Sequence, residues 1–103
     1  SSQGNATNNL NIIMDGYFRV AVQVKDTPGA NGTNTYKIKA RTDDFGGVGY
    51  EDVTNDFTGS ASYTSNFLKT FEAAVRELQI EVVRTGDTGE NDGAFRVMVS
   101  RLP

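Results

Sequence analysis

Residues 35–41, Thr-Tyr-Lys-Ile-Lys-Ala-Arg, place Lys37, Lys39 and Arg41 at every second position, between Tyr36, Ile38 and Ala40. A period of two sends the three bases to one face of a strand and the three apolar residues to the other. The run 18–25 repeats the design: Phe18, Val20, Val22 and Val24 share one phase, and Arg19, Ala21, Gln23 and Lys25 share the opposite one. Cations at alternate positions of a flat sheet suit phosphate contact, and Tyr17 and Tyr50 would offer unpaired bases rings to stack on. The plainer alternative is a solvated sheet surface whose bases discourage edge pairing.

The charge distribution favours the first of these. The chain has 103 residues and a formal net charge of -3. Residues 17–42 nevertheless hold five bases against one acid, Asp26, a local balance of +4 that leaves -7 for the remainder. Ordinary soluble surfaces mix the two signs, and an anionic partner responds to the local field.

Other reactive groups are sparse. With neither cysteine nor histidine, the chain can form no thiolate metal site, thiol nucleophile or Ser-His-Asp triad, and an enzyme is not expected. Asp43, Asp44, Glu51 and Asp52 could do acid/base work as paired carboxylates, but such clusters more often ring a loop. Asp87, Glu90, Asn91 and Asp92 are hard oxygen ligands of the kind calcium takes, yet their spacing is not that of a calcium loop. A solvated hairpin loop is expected there, with no metal site and no cofactor. Asn5-Ala-Thr7 and Asn31-Gly-Thr33 match the glycosylation pattern and are read as turn chemistry.

These groups need elements to hold them. Residues 1–9 have no periodicity and read as a flexible arm, leaving 10–103 as a single domain. Asp15-Gly16 reads as a two-residue hairpin turn, and residues 18–25 and 35–41 as neighbouring antiparallel strands that collect the bases on one surface. Residues 50–58 suggest a further strand. The opposite sheet face needs a cover, which the spacing predicts as a helix over Asn66–Leu78. Phe67, Leu68, Phe71, Ala74, Val75 and Leu78 fall at i, i+1, i+4, i+7, i+8 and i+11, an apolar stripe at helical period. Two more β-like runs, 79–84 and 93–100, read as a closing hairpin. No run approaches the ~18 apolar residues of a membrane span, and the polar start lacks a signal-peptide core, so a soluble chain is expected.

The order of these features, from about residue 17 to residue 78, resembles the coat proteins of the small single-stranded RNA bacteriophages, the leviviruses. Its most specific part is Tyr-x-Asp-Val-Thr-x-x-Phe-Thr at Tyr50–Thr58 with an amphipathic run soon after. The resemblance implies an α+β fold: an antiparallel sheet with the helix on one face, here with a rearranged C-terminal β-hairpin. It further implies interlocked homodimers in which Phe67, Leu68, Phe71, Val75 and Leu78 pack over the partner's sheet. Such dimers would close into an icosahedral shell around single-stranded viral RNA, in a virion assembled in the host bacterial cytoplasm, with no membrane involved. A coat dimer of this kind also binds an RNA hairpin as translational repressor. Carried over by position, the family's RNA-contacting sites fall on Arg19, Ala21, Gln23, Lys37, Lys39 and Tyr50. Lys39 and Tyr50 match in type, while Ala21, Gln23 and Lys37 stand where the family often has small hydroxyl residues. Lys25 and Arg41 join them on the residue-level reading. The glycine-rich Asp43–Gly49 stretch matches the family's flexible loop. The alternative function is a secreted or surface β-rich binding module, dependent on carbohydrate or calcium.

Overall fold

A computed structural model describes residues 6–27, 32–42, 49–85 and 94–102. Its elements are β1 (Ala6–Thr27), β2 (Thr33–Arg41), β3 (Glu51–Asp52), α1 (Thr54–Thr58), β4 (Phe67–Thr85) and β5 (Ala94–Leu102). They form one antiparallel sheet in the order β3-β2-β4-β1-β5.

The two longest strands define the architecture. β1 and β4 run beside each other from Ala6↔Arg84 to Val24↔Phe67, with a register shift between Ile13 and Gly16. Gly16 sits there at φ 147°, a backbone region that side-chain-bearing residues avoid. β2 pairs only with residues 77–85 of β4, and β5 only with residues 19–27 of β1. The ribbon is thus flanked on opposite sides at its two ends.

It also folds over. Tyr36 is paired with Val82, yet its ring centroid lies 6.1 Å from that of Phe67 and 6.3 Å from that of Phe95. Phe67 and Val82 are 15 positions apart on β4, which in a straight strand would separate them by roughly 50 Å. The sheet must therefore double back near the register shift. One layer then holds β3, β2, the second half of β4 and the first half of β1; the other holds the first half of β4, the second half of β1, and β5. Met14, Val20, Val22, Val24, Tyr36, Ile38, Leu78 and Ile80 are buried in a single core between them. Fully burying an aliphatic side chain of this size contributes about 2 kcal/mol against an exposed reference.

Several expectations are corrected by this architecture. The fold is not α+β with a helical cover: the stretch expected to be a helix is the first part of β4, and the only helix among the described residues is the five-residue α1. Spacing explains the confusion. Phe67, Phe71 and Val75 recur every four residues, which satisfies both a strand's period of two and, closely, a helix's period of 3.6. Then Glu77 and Leu78 are buried in succession and the inward phase changes from odd to even positions. That phase change supplies the step of three from Val75 to Leu78 that completed a helical stripe. Leu68, counted in the stripe, is 58% exposed. The cover over the apolar sheet face is the other half of the same sheet, so no partner's helix is needed to bury it.

The connections differ as well. Asp15-Gly16 is an irregularity inside one continuous strand, and the runs 18–25 and 35–41 are separated by β4. The last two runs form no hairpin, because β5 pairs with β1. Pairing with β4 begins at Ala6, inside the expected arm. In the Tyr50–Thr58 stretch only Glu51 and Asp52 are strand; α1 follows and stops at Gly59, which takes φ 83° and donates its N–H to the Asn55 carbonyl at 2.8 Å. Thr54, fully buried, ties this segment to β2: its hydroxyl oxygen accepts from the Ile38 N–H at 2.8 Å, and the Val53 N–H donates to the Ile38 carbonyl at 2.9 Å.

Candidate functional site

Lys37, Lys39 and Arg41 do project from one face of β2, but each meets a carboxylate. Lys37 Nζ lies 3.6 Å from Asp52, and Lys39 Nζ 2.9 Å from Glu81. Arg41 donates to both oxygens of Glu77, at 3.0 and 2.9 Å, while its guanidinium carbon sits 4.6 Å from the centre of the Tyr50 ring. The Tyr50 hydroxyl donates to Glu77 Oε2 at 2.6 Å. Burial, and then this bond to a carboxylate, push the Tyr50 hydroxyl above its ordinary value. Asp52 goes the other way, held low by the Thr54 hydroxyl, the Thr54 N–H and Lys37. The row is a ladder of ion pairs because β4 brings Glu77 and Glu81 across from Arg41 and Lys37.

Arg19, Ala21, Gln23 and Lys25 alternate with buried Val20, Val22 and Val24, which sets them on the outer surface of the second layer. The eight residues expected to meet RNA therefore divide between two layers, with Lys37, Lys39, Arg41 and Tyr50 on one. Arg19 is paired in register with Glu72, and Lys25 with Arg96. Phe67, Phe71 and Val75 are half-buried toward the core and Leu78 fully buried. Asp43, Asp44, Asp87, Glu90, Asn91, Asp92, Asn5 and Asn31 lie outside the described residues, as does most of the glycine-rich stretch. Among the described residues, no three acidic side chains come together as a metal cage, and no helix is long and apolar enough to cross a membrane.

A different constellation occupies the end of the sandwich away from the bend. Asn34 and Arg84 face each other in register on β2 and β4, and they are only 3% and 6% exposed. Arg84 Nε donates to Asn34 Oδ1 at 2.9 Å; Asn34 Nδ2 donates to Asp26 Oδ1 at 2.9 Å. The buried Tyr36 hydroxyl donates to the same Asp26 oxygen at 2.5 Å. Burial, then the bond to Asp26 and its charge, push Tyr36 well above the ordinary tyrosine range. The Asp26 N–H donates to Asn66 Oδ1 at 2.6 Å, fastening the end of β1 to the segment that enters β4.

This relay borders an open pocket of about 360 Å³ lined by Asp26, Gly32, Thr33, Asn34, Thr64, Ser65 and Asn66. Among the described residues Asp26 Oδ2 has no partner, since both side-chain bonds land on Oδ1. The described lining thus offers one carboxylate acceptor, three hydroxyls and amide groups that donate and accept, with no cation among the described residues. No protein-family model, curated protein or solved structure matches the chain.

Sequence reasoning missed the pocket, although a signal was present. Asn34 and Arg84 occupy inward phases of otherwise apolar alternations, Asn34-Tyr36-Ile38-Ala40 and Leu78-Ile80-Val82-Arg84. A polar residue in an apolar phase requires a buried partner. Nothing in the sequence pairs those two phases with Asp26.

Proposed function

We propose that the chain is a β-rich binding module that takes a neutral, hydroxyl-rich ligand, carbohydrate in class, at the Asp26 pocket. The observation that carries this reading is the buried relay Arg84–Asn34–Asp26–Tyr36, which fixes one carboxylate at the pocket with an oxygen to spare. Sugar hydroxyls donate and accept together, and an anionic acceptor beside neutral hydroxyl and amide groups matches that need. A phosphate or carboxylate ligand would meet Asp26 without a compensating cation. Among the described residues a single carboxylate lines the pocket, fewer than calcium usually takes.

The test is retention of the protein on a panel of immobilised polysaccharides, followed by calorimetry with oligosaccharides of any that retain it. Thr64→Ala and Ser65→Ala, both at exposed positions, should keep the wild-type melting temperature and weaken binding about tenfold, as expected for one lost hydrogen bond to a ligand. Asp26→Asn should weaken it further. Binding unaffected by all three substitutions, or no retention on any polysaccharide, would sink the proposal.

A second reading, an RNA-packaging coat shell, is supported by Lys25 and Arg96. They are exposed, directly paired across β1 and β5, and without an ion-pair partner among the described residues. Like charges opposed in this way are relieved by a bound polyanion. Negative-stain imaging of protein expressed in bacteria tests it: uniform nucleic-acid-filled shells that lose their RNA in Lys25→Glu/Arg96→Glu would establish the coat reading, and dispersed protein free of nucleic acid would dismiss it.

A further inference from the structure

Every open sheet leaves edges that can pair with another chain, and among the described residues three of the four edges here are short, covered or rich in asparagine. β3 is two residues long and acidic. The first half of β4 has α1 against it, with Phe57 stacked on Phe71 at 4.8 Å. The first half of β1 carries Asn8, Asn9 and Asn11, poor strand formers, beside exposed Leu10 and Ile13, and it ends at the register shift, where Arg101 donates to the Ile13 carbonyl at 2.7 Å. β5 is different. It is paired with β1 along all nine residues, contains neither proline nor glycine, and has no strand on its other side among the described residues. Met98 and Leu102 stand exposed on it, 37% and 58%.

We infer that β5 pairs antiparallel with β5 of a second copy of this chain across a two-fold axis at Met98. Only this register overlaps all nine residues. It sets Ala94 opposite Leu102 of the second copy, Phe95 opposite Arg101, Arg96 opposite Ser100, Val97 opposite Val99, and Met98 opposite itself. Each pair joins residues of the same sheet face, because register partners share a side. The half-buried Val97 and Val99 meet each other on the inner side, and exposed Met98 and Leu102 gain apolar neighbours on the outer one. No like charges face each other: Arg96 meets a hydroxyl, and Arg101 meets an aromatic ring. The second layers of the two copies would merge into one sheet of six strands. This pairing does not depend on what the Asp26 pocket binds.

The chain has no cysteine, so a single introduced thiol reads the register. Directly opposed residues in an antiparallel pair have Cα atoms about 4.5–5.5 Å apart, within the span a disulfide bridges. Sedimentation velocity on the whole chain should show dimers. Mild oxidation should convert Met98→Cys efficiently to a covalent dimer and leave Arg96→Cys largely unlinked, because the two-fold separates position 96 from its own copy. Ser100→Glu should tighten the dimer by facing Arg96 twice across the axis, and Ser100→Arg should loosen it, each by about tenfold. A monomer at every accessible concentration, a dimer in which Met98→Cys links no better than Arg96→Cys, or equal dissociation constants for Ser100→Glu and Ser100→Arg would each overturn the inference.

Discussion

The Tyr36 hydroxyl donates to Asp26 from a fully buried ring, and Asn34 holds the same carboxylate oxygen in place. Burial and the neighbouring carboxylate both disfavour the phenolate, so the folded protein keeps Tyr36 protonated at pH values where the unfolded chain ionises it. The resulting contribution to stability is complete below the ordinary tyrosine pKa of about 10 and is lost as pH rises above it. Urea unfolding should therefore show stability falling above about pH 10. Tyr36→Phe should be about 2 kcal/mol less stable at neutral pH, the usual worth of a hydrogen bond to a charged acceptor, and should fall less steeply in alkali. Tyr50, raised for related reasons beside Glu77, leaves a residual alkaline slope in that variant. An identical slope in wild type and Tyr36→Phe would show that Tyr36 does not titrate late. Asn34 and Arg84 were visible from sequence as polar intruders in apolar phases, whereas Asp26 was not. Its role depends on which strand ends the fold brings together.

At the scale of elements, β4 is the instructive case. Phe67–Leu78 contains Glu72, Ala73, Ala74, Arg76 and Glu77, strong or fair helix formers, and Glu72 with Arg76 is a favourable i,i+4 helical pair. Local preference is weak beside tertiary burial, and a nineteen-residue strand in which every residue but Arg76 has a cross-strand partner on β1 or β2 outweighs it. A peptide covering residues 66–80 should accordingly become helical in aqueous trifluoroethanol by circular dichroism, whereas the whole protein in water should give a β-dominated spectrum. A helical signal from the intact protein of the size that residues 66–78 would add would contradict the strand. The basic row teaches the same lesson at this scale. Its alternation was legible in β2, but the carboxylates that neutralise it come from β3 and β4, 15 to 42 positions away in the chain.

For the whole molecule, sheet order governs folding as well as shape. Successive strands do not pair, except β2 with β3; β1 waits for β4 and β5, and β2 for β4. The nearest β1–β4 pair, Val24↔Phe67, closes a loop of more than forty residues, and the furthest is Ala6↔Arg84. Closing such loops costs entropy before contacts repay it, so refolding should be slow for a chain of this length, in milliseconds to seconds. Stopped-flow refolding from urea measures this directly, and completion within microseconds would be incompatible with the topology.

By itself the sequence determined the alternations of β1, β2 and β5, the apolar core face they share, the absence of thiol and imidazole chemistry, and the uneven spread of charge. All of these follow from residue types at a fixed short period, which the chain carries locally. Only the tertiary structure decided that β4 is a strand, that the sheet doubles back on itself, and that Asp26 meets Asn34, Tyr36 and Arg84 at a pocket. Those outcomes depend on which distant segments share backbone hydrogen bonds, and on where one irregularity beside Gly16 lets a long ribbon bend.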